Sequence, residues 1–258
     1  GGQVLSQALR AAYETVSGRQ AHSVHGYFMR AGNADLPVLY EVDRIRDGRS
    51  FTTRRVVAIQ EGKAIFSLSV SFQVAEEGFE HAASMPNVPP PEELEDDMLV
   101  AARLGSAQPN LSPMAGRPRP FETRSVFEFG TPAWEENRLW NPVWIRFAAP
   151  LAEDCEGDDV LARCLLAYAS DMGLVSTSLL PHAQSQSRDQ FQMASLDHAL
   201  WIHRKIPINE WLLFHKHTST ASGARGLVHA AFYESDGGLL ASVTLEGLVR
   251  EMRAPEAR

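Results

Sequence analysis

VHGYFMRAGNADLPVLYEVDRIRDGRSFTTRRVVAIQEGKAIFSLSVSFQ, residues 24–73, is the stretch that decides the fold. Within it, residues 24 to 30, 38 to 46, 51 to 60 and 64 to 73 alternate apolar with polar or run through β-branched and aromatic types. Gly32-Asn33, Asp47-Gly48 and Glu61-Gly62 punctuate these runs as turns. The pattern predicts an antiparallel meander. Ahead of it Leu5, Leu9, Ala12, Tyr13 and Val16 recur at helical spacing, so an amphipathic helix over residues 3 to 16 follows Gly1 and Gly2.

The remainder of the chain repeats this plan. Strand-like segments at 125 to 129 and 143 to 148 precede a helix from about 158 to 170, and strands are expected at 194 to 204, 211 to 219, 225 to 233 and 239 to 249. Gly48 and Gly62 mark turns 14 residues apart, Gly223 and Gly237 do the same, and the two pairs are offset by 175. Such spacing suggests an internal duplication, although two meanders of similar hairpin length would share it too. Between the halves the composition shifts to Pro, Glu, Asp and Ser, with Pro89-Pro90-Pro91 ahead of Glu92, Glu93, Glu95, Asp96 and Asp97, which reads as a linker with room for a short helix over 96 to 104. The expected organisation is a first unit at 1–75, a linker at 76–120 and a second unit at 121–258.

With 258 residues and 44% hydrophobic content, the chain can bury one large core or two ordinary ones. A net charge of -8 argues against nucleic acid as partner, because neutralising phosphates needs a basic face. No apolar run reaches the roughly 18 residues needed to cross a bilayer, and nothing reads as a signal peptide, so a soluble protein without membrane partner is expected. Cys155 and Cys164 are too few for a disulfide framework, and Cys164 reads as a small buried thiol. A reducing, cytoplasmic location follows as the expectation.

Chemistry concentrates near residue 171. Leu161, Cys164, Leu165 and Tyr168 follow the i, i+3, i+4, i+7 spacing, and Asp171 continues that stripe at the helix end. Burial and the negative end of the helix dipole both disfavour a carboxylate anion there, which predicts a raised pKa suited to a general base. By position alone, a helix-terminal Asp bonding neighbouring amides is the commoner reading. His215 and His217 share a strand face without a third ligand at a zinc spacing, so no metal is expected. His198 and His203 read as sheet-face residues flanking Leu200 and Trp201. There is no Gly-x-Ser-x-Gly elbow, phosphate loop or dinucleotide fingerprint, and no cofactor is expected.

Several segments together resemble the type II (TesB-like) acyl-CoA thioesterases. They are Gly1-Gly2-Gln3, the run from His25-Gly26-Tyr27-Phe28-Met29-Arg30 through Arg46-Asp47-Gly48-Arg49-Ser50-Phe51 to Arg54-Arg55-Val56, then Tyr168-Ala169-Ser170-Asp171. Ala194-Ser195-Leu196-Asp197-His198, His203-Arg204, Asn209-Glu210-Trp211-Leu212-Leu213 and Ala224-Arg225-Gly226 continue the match in the family's order. The resemblance covers nearly everything except the linker. It implies an α+β double hotdog, in which two tandem antiparallel sheets each wrap a central helix and join edge to edge. It also implies a further strand before Gly1, so the first hotdog reads as lacking its first strand.

The family's trio of Asp, Ser or Thr, and Gln maps onto Asp171, Ser195 and position 245, where Leu245 stands in Thr244-Leu245-Glu246-Gly247. The resemblance thus makes Asp171 and Ser195 catalytic, Asp171 taking a proton from water and Ser195 orienting it, while Leu245 can hold neither water nor substrate through a polar atom. Gly2 and Gln3 are expected to offer helix N-terminal N–H groups to the oxyanion, and His25 to line the thioester tunnel. Arg54, Arg55, Arg204 and Arg225 are candidates to meet CoA phosphates, since an acidic protein must concentrate positive charge locally. The expected reaction is hydrolysis of acyl-CoA to fatty acid and CoA. The alternative is an acyl-CoA-binding hotdog protein whose hydrolysis is weak or lost because of Leu245. A hotdog hydratase needs an Asp and a His on one substrate, and no hydratase motif supports it. Tyr27, Phe28, Trp201 and Trp211 on predicted strands point to a homo-oligomer.

Overall fold

The computed structural model describes residues 1–104, 120–149, 151, 158–183 and 190–252. Helix α1 (Gly2–Tyr13) enters a meander of β1 (Gln20–Phe28), β2 (Leu39–Asp47), β3 (Phe51–Gln60) and β4 (Lys63–Gln73). After the connecting segment come α2 (Asp97–Leu104), β5 (Phe121–Ser125), α3 (Pro132–Glu136), β6 (Trp140–Phe147), α4 (Asp159–Ser170) and α5 (Leu174–Thr177). The chain closes with β7 (Phe191–Ser195), β8 (Asp197–Ile202), β9 (Leu212–Ser222), β10 (Arg225–Glu234) and β11 (Leu239–Glu251).

All eleven strands belong to one antiparallel sheet, ordered β2-β3-β4-β1-β8-β11-β10-β9-β6-β5, with β7 on a separate stretch of β11. The order is palindromic about the β1–β8 seam: β1 answers β8, β4 answers β11, β3 answers β10 and β2 answers β9. A rank of paired residues runs unbroken across the seam as Lys216, Ala230, Val243, Leu200, Val24, Val70 and Arg54. The fold is the expected double hotdog, with both sheets fused into one surface and α1 packed on α4 inside it.

Helix α1 buries Leu5, Ala8, Leu9, Ala12 and Tyr13, the face its spacing predicts. Helix α4 departs from expectation. Its deepest residues are Ala162, Arg163, Cys164, Leu166, Ala167, Ala169 and Ser170, whereas Leu161, Leu165 and Tyr168 are only partly buried. The reason is position: a central helix touches sheet on one side and α1 on the other, and small side chains let the second helix approach closely. Burial pushes the Cys164 thiol up to about 12, which keeps it inert at neutral pH. Cys155 lies outside the described residues.

Two aromatic expectations change. Trp211 is partly buried within the chain, with the Arg124 and Arg146 guanidiniums 4.9 and 4.6 Å from its ring centroid, and Phe28 packs on Phe66. Arg54 is only 2% exposed and gives its guanidinium to Thr15, Asp47 and the Arg46 and Thr53 carbonyls, so it is not available to a phosphate. Arg225 is paired with Glu246.

Candidate active site

The strand expected over 194 to 204 is broken in two. β11 pairs with β8 as far as Thr244↔Ala199 and with β7 from Gly247↔Ser195, so the β7–β8 side carries one more residue than β11 between these pairs. Such a bulge reverses the side-chain alternation. From Leu200 and Ile202, which face the core, strict alternation turns His198 inward and Ser195 outward. The break at Leu196 instead brings Ser195 inward. It is held by the Leu196 N–H on the Glu246 carbonyl (2.9 Å), the Phe28 N–H on the Leu196 carbonyl (2.9 Å) and the Glu246 N–H on Asp197 Oδ1 (2.6 Å).

Ser195 thereby meets Asp171. Its Oγ donates to Asp171 Oδ1 at 2.9 Å, and the Gly2 N–H donates to Oδ2 at 2.9 Å. Asp171 is the C-cap residue of α4, and Gly173, in the left-handed region at φ 72, turns the chain into α5. The Asp171 side chain is 13% exposed, where α1, α4 and β7 meet. Gly2 is required by distance: a Cβ there would lie 2.4 Å from the Tyr168 carbonyl oxygen, and one at Gly1 would lie 2.5 Å from Asp171 Oδ2.

Of the residues singled out in the sequence, the fold brings Asp171, Ser195 and Gly2 together. The Gly2 N–H is already engaged by the carboxylate, which corrects its expected place in an oxyanion hole; Gln3 follows it among the unpaired donors of the first helical turn. Leu245 lies at the β11 break, two residues from Gly247, and is fully buried in the apolar core. His25 is not part of the site. Val24 and Gly26 point inward, so His25 faces out, stacked edge-on against Trp201 at 5.1 Å with Nε2 on Ser23.

One residue was missed. His198 is 1% exposed on the inner face, with Nδ1 3.9 Å from Asp171 Oδ1 and Nε2 2.8 Å from Ser170 Oγ. The period-2 rank of Leu200 and Ile202 would have placed it there. Burial pushes its pKa down to about 4, the Asp171 carboxylate opposing that shift. Among the described residues no group of His, Cys, Asp and Glu is arranged to hold a metal ion. A cavity of about 290 Å³ lies along the same β7–β11 pair, lined in part by Leu179, Phe191, Arg225 and Val249.

The fold and this contact define a double hotdog protein in which a helix-capping carboxylate is bonded by a serine hydroxyl. Residues 1–73 match the family model "Acyl-CoA thioesterase N-terminal domain" and residues 138–248 the model "Acyl-CoA thioesterase". The chain is 40% identical to acyl-coenzyme A thioesterase 8 of Rattus norvegicus, over 97% of this chain and 79% of the relative. It is 36% identical to acyl-CoA thioesterase 2 of Haemophilus influenzae, over 97% and 87%. The crystal structure of the acyl-CoA thioesterase II TesB2 from Mycobacterium marinum superposes with a TM-score of 0.80 at 37% identity, covering 98% of this chain and 89% of that one. The chain belongs to the acyl-CoA thioesterase family. Nothing in these comparisons supports the alternative of a binding protein that has lost hydrolysis.

The buried histidines make stability depend on pH. Unfolded histidines take up protons below about 6.5, whereas His198 and His215 do so only near 4. Between these values the unfolded state binds more protons, so stability is fully present above pH 6.5 and falls as pH falls toward 4. For His198 the loss is on the order of 2–3 kcal/mol. Urea unfolding at pH 7 and pH 4.5 should show a smaller difference for His198→Asn than for wild type; equal differences would remove His198 from this account.

Proposed function

We propose that Asp171 is the general base of the acyl-CoA thioesterase reaction and that Ser195 fixes the direction of the attacking water. The observation that carries this reading is the Ser195–Asp171–Gly2 constellation, which holds one carboxylate by two donors at 2.9 Å each. Thioester hydrolysis needs a water aimed at the carbonyl carbon and a base to take its proton. With Oδ2 engaged by Gly2, Oδ1 is the oxygen near which a water bonded to Ser195 Oγ is deprotonated. The water oxygen bonds the carbonyl carbon, the proton goes to Asp171, and collapse of the tetrahedral intermediate releases the thiolate, which recovers that proton. First-turn N–H groups of α1 beyond Gly2, with Gln3 foremost, face the developing oxyanion.

The two units and linker keep their expected boundaries in this reading, and the cytoplasmic location rests on cysteine usage alone. No helix among the described residues is long and apolar enough to cross a membrane. Self-association is supported by large apolar side chains on the outer sheet face and edge, Tyr27 at 67% and Leu39 at 60% exposure among them. Light scattering at micromolar concentration should give at least the mass of a dimer; a lone monomer would contradict it.

Asp171→Asn should fold normally and lose roughly 10²–10⁴-fold in turnover, the usual cost of removing a general base. A folded Asp171→Asn protein with near wild-type turnover on acyl-CoA, read by free thiol release, would overturn the assignment.

Leu245→Gln restores the amide that the family pattern has at this position. It should raise the turnover number more than it changes KM, because an amide orienting water acts on the chemical step. The same substitution buries a polar group in a core position and should lower stability by about 1–3 kcal/mol where the amide finds no partner. Steady-state kinetics on short, medium and long acyl-CoA decide the matter. A fast wild type slowed by Leu245→Gln would mean that the pocket is built around an apolar residue.

A further inference from the structure

His198 carries an unused acceptor beside the proposed base, and its protonation pattern follows from its neighbours. Ser170 Oγ lies 2.8 Å from the Ala167 carbonyl oxygen, which can only accept, so the single hydroxyl proton of Ser170 points there. The same Oγ is 2.8 Å from His198 Nε2, and with the Ser170 proton assigned to the carbonyl it accepts there, which assigns the ring proton to Nε2. Nδ1 is left with its lone pair. It is buried with no hydrogen-bond partner among the described residues and faces Asp171 Oδ1 at 3.9 Å. A buried acceptor without a donor costs free energy, and an acceptor pointing at a carboxylate gains nothing while that carboxylate is ionised.

We propose that His198 is a positioning residue that receives the hydrogen bond of Asp171 once Asp171 has become an acid. This inference rests on Asp171 being the base. As the water O–H bond breaks and its oxygen bonds the thioester carbon, the proton moves to Asp171 Oδ1. The new carboxylic O–H turns to the Nδ1 lone pair, and the contact shortens from 3.9 Å to a hydrogen bond of about 2.8 Å. When the C–S bond breaks, the proton leaves Asp171 for the thiolate sulfur and Nδ1 is bare again. The ring stays neutral throughout, and no net proton is gained or lost by His198. Ser170 serves by locking the tautomer: the opposite one would present an N–H to Asp171, favouring the anion and opposing proton uptake.

Two substitutions separate this role from a structural one, because each keeps a different half of the imidazole. His198→Gln keeps a donor near Nε2 for Ser170 and removes the acceptor beside Asp171. His198→Asn keeps an acceptor near Nδ1 and gives up the Ser170 bond. The proposal expects kcat to fall about tenfold to a hundredfold in His198→Gln, the scale of one lost buried hydrogen bond, with KM within about threefold. His198→Asn should keep a kcat several times that of His198→Gln while melting at a lower temperature. A purely structural His198 gives the reverse order of kcat, and that order overturns the proposal. Should one variant fail to fold, the other decides: a folded His198→Gln with wild-type kcat, or a folded His198→Asn as slow as Asp171→Asn, also overturns it. Asp171→Asn run alongside keeps the two readings apart, since an active Asp171→Asn protein refutes the base itself, whereas an inactive one with the reversed order refutes only His198.

Discussion

The hydrogen bond from the Gly2 N–H to Asp171 Oδ2 joins the two halves of the molecule at the place where its chemistry is concentrated. It exists because the N-terminus of α1 meets the C-terminus of α4 with no side chain between them; a methyl group on residue 2 would sit 2.4 Å from the Tyr168 carbonyl. The positive end of one helix dipole therefore lies against the negative end of the other. The carboxylate that caps α4 is shared between both, so the first half of the chain supplies a donor and the second half supplies the acid. Neither half holds this arrangement alone.

Fusion of the two meanders through the β1–β8 seam makes that junction rigid. Once β1 and β8 pair in register from Ser23↔Trp201 to Tyr27↔Asp197, the helices beneath them have little freedom to slide, and β8 leads directly into the bulge that aims Ser195. The second clamp comes from α5, which presses on glycines: a Cβ at Gly247 would lie 2.7 Å from Val175, and one at Gly226 2.4 Å from Ser178. Ser195, Gly247 and Gly226 are neighbours in one cross-strand rank. The backbone is thus held close under α5 next to the Ser195 hydroxyl.

How much of this was legible in the sequence differs from residue to residue, and the reasons are physical. The first meander was readable because β1, β3 and β4 each bury one face and glycines mark its turns, so register and orientation follow from alternation, while the edge strand β2 buries no residue and is legible from its turns and β-branched and aromatic types. His25 shows the same rule working: alternation alone sets it outward, and only likeness to a family suggested the tunnel. Ser195 shows the rule failing, since a single extra residue at Leu196 inverts the faces and no local pattern announces it. His198 was readable from Leu200 and Ile202, but a histidine in an apolar rank carries no label for what it faces. The partners of Asp171 were not legible, because Gly2 is 169 positions away in the chain and meets it only through the packing of two helices. Nor were α3 and α5, whose four or five residues are too short for periodicity to register.

The palindromic sheet order offers two similar helix ends, and among the described residues they are filled differently. The C-cap of α1 is Glu14, in the position that Asp171 holds on α4. Glu14 is solvent-facing and paired with Arg10 at 2.8 Å on the helix surface, where such a pair contributes little. The space where α1 ends against the start of α4 is filled instead. Tyr13 OH accepts from the Ala21 N–H and donates to Gln20, while Arg163, itself anchored by Asp159, donates to the Ala21 carbonyl. Tyr13 also stacks edge-on against Phe72 at 5.0 Å, and burial pushes its pKa up to about 12. Tyr13 OH, the Ala21 N–H and carbonyl and the Arg163 guanidinium thus find partners within the fold, whereas Asp159 Oδ1 is buried with no hydrogen-bond partner among the described residues. At the other end His198 Nδ1 has no hydrogen-bond partner among the described residues and the Asp171 side chain is 13% exposed. What distinguishes the two helix ends is geometry: one carries an exposed glutamate paired on its own helix surface, the other a carboxylate set between two helices against Ser195, and a polar group completes its bonding either with its own chain or with what that chain binds.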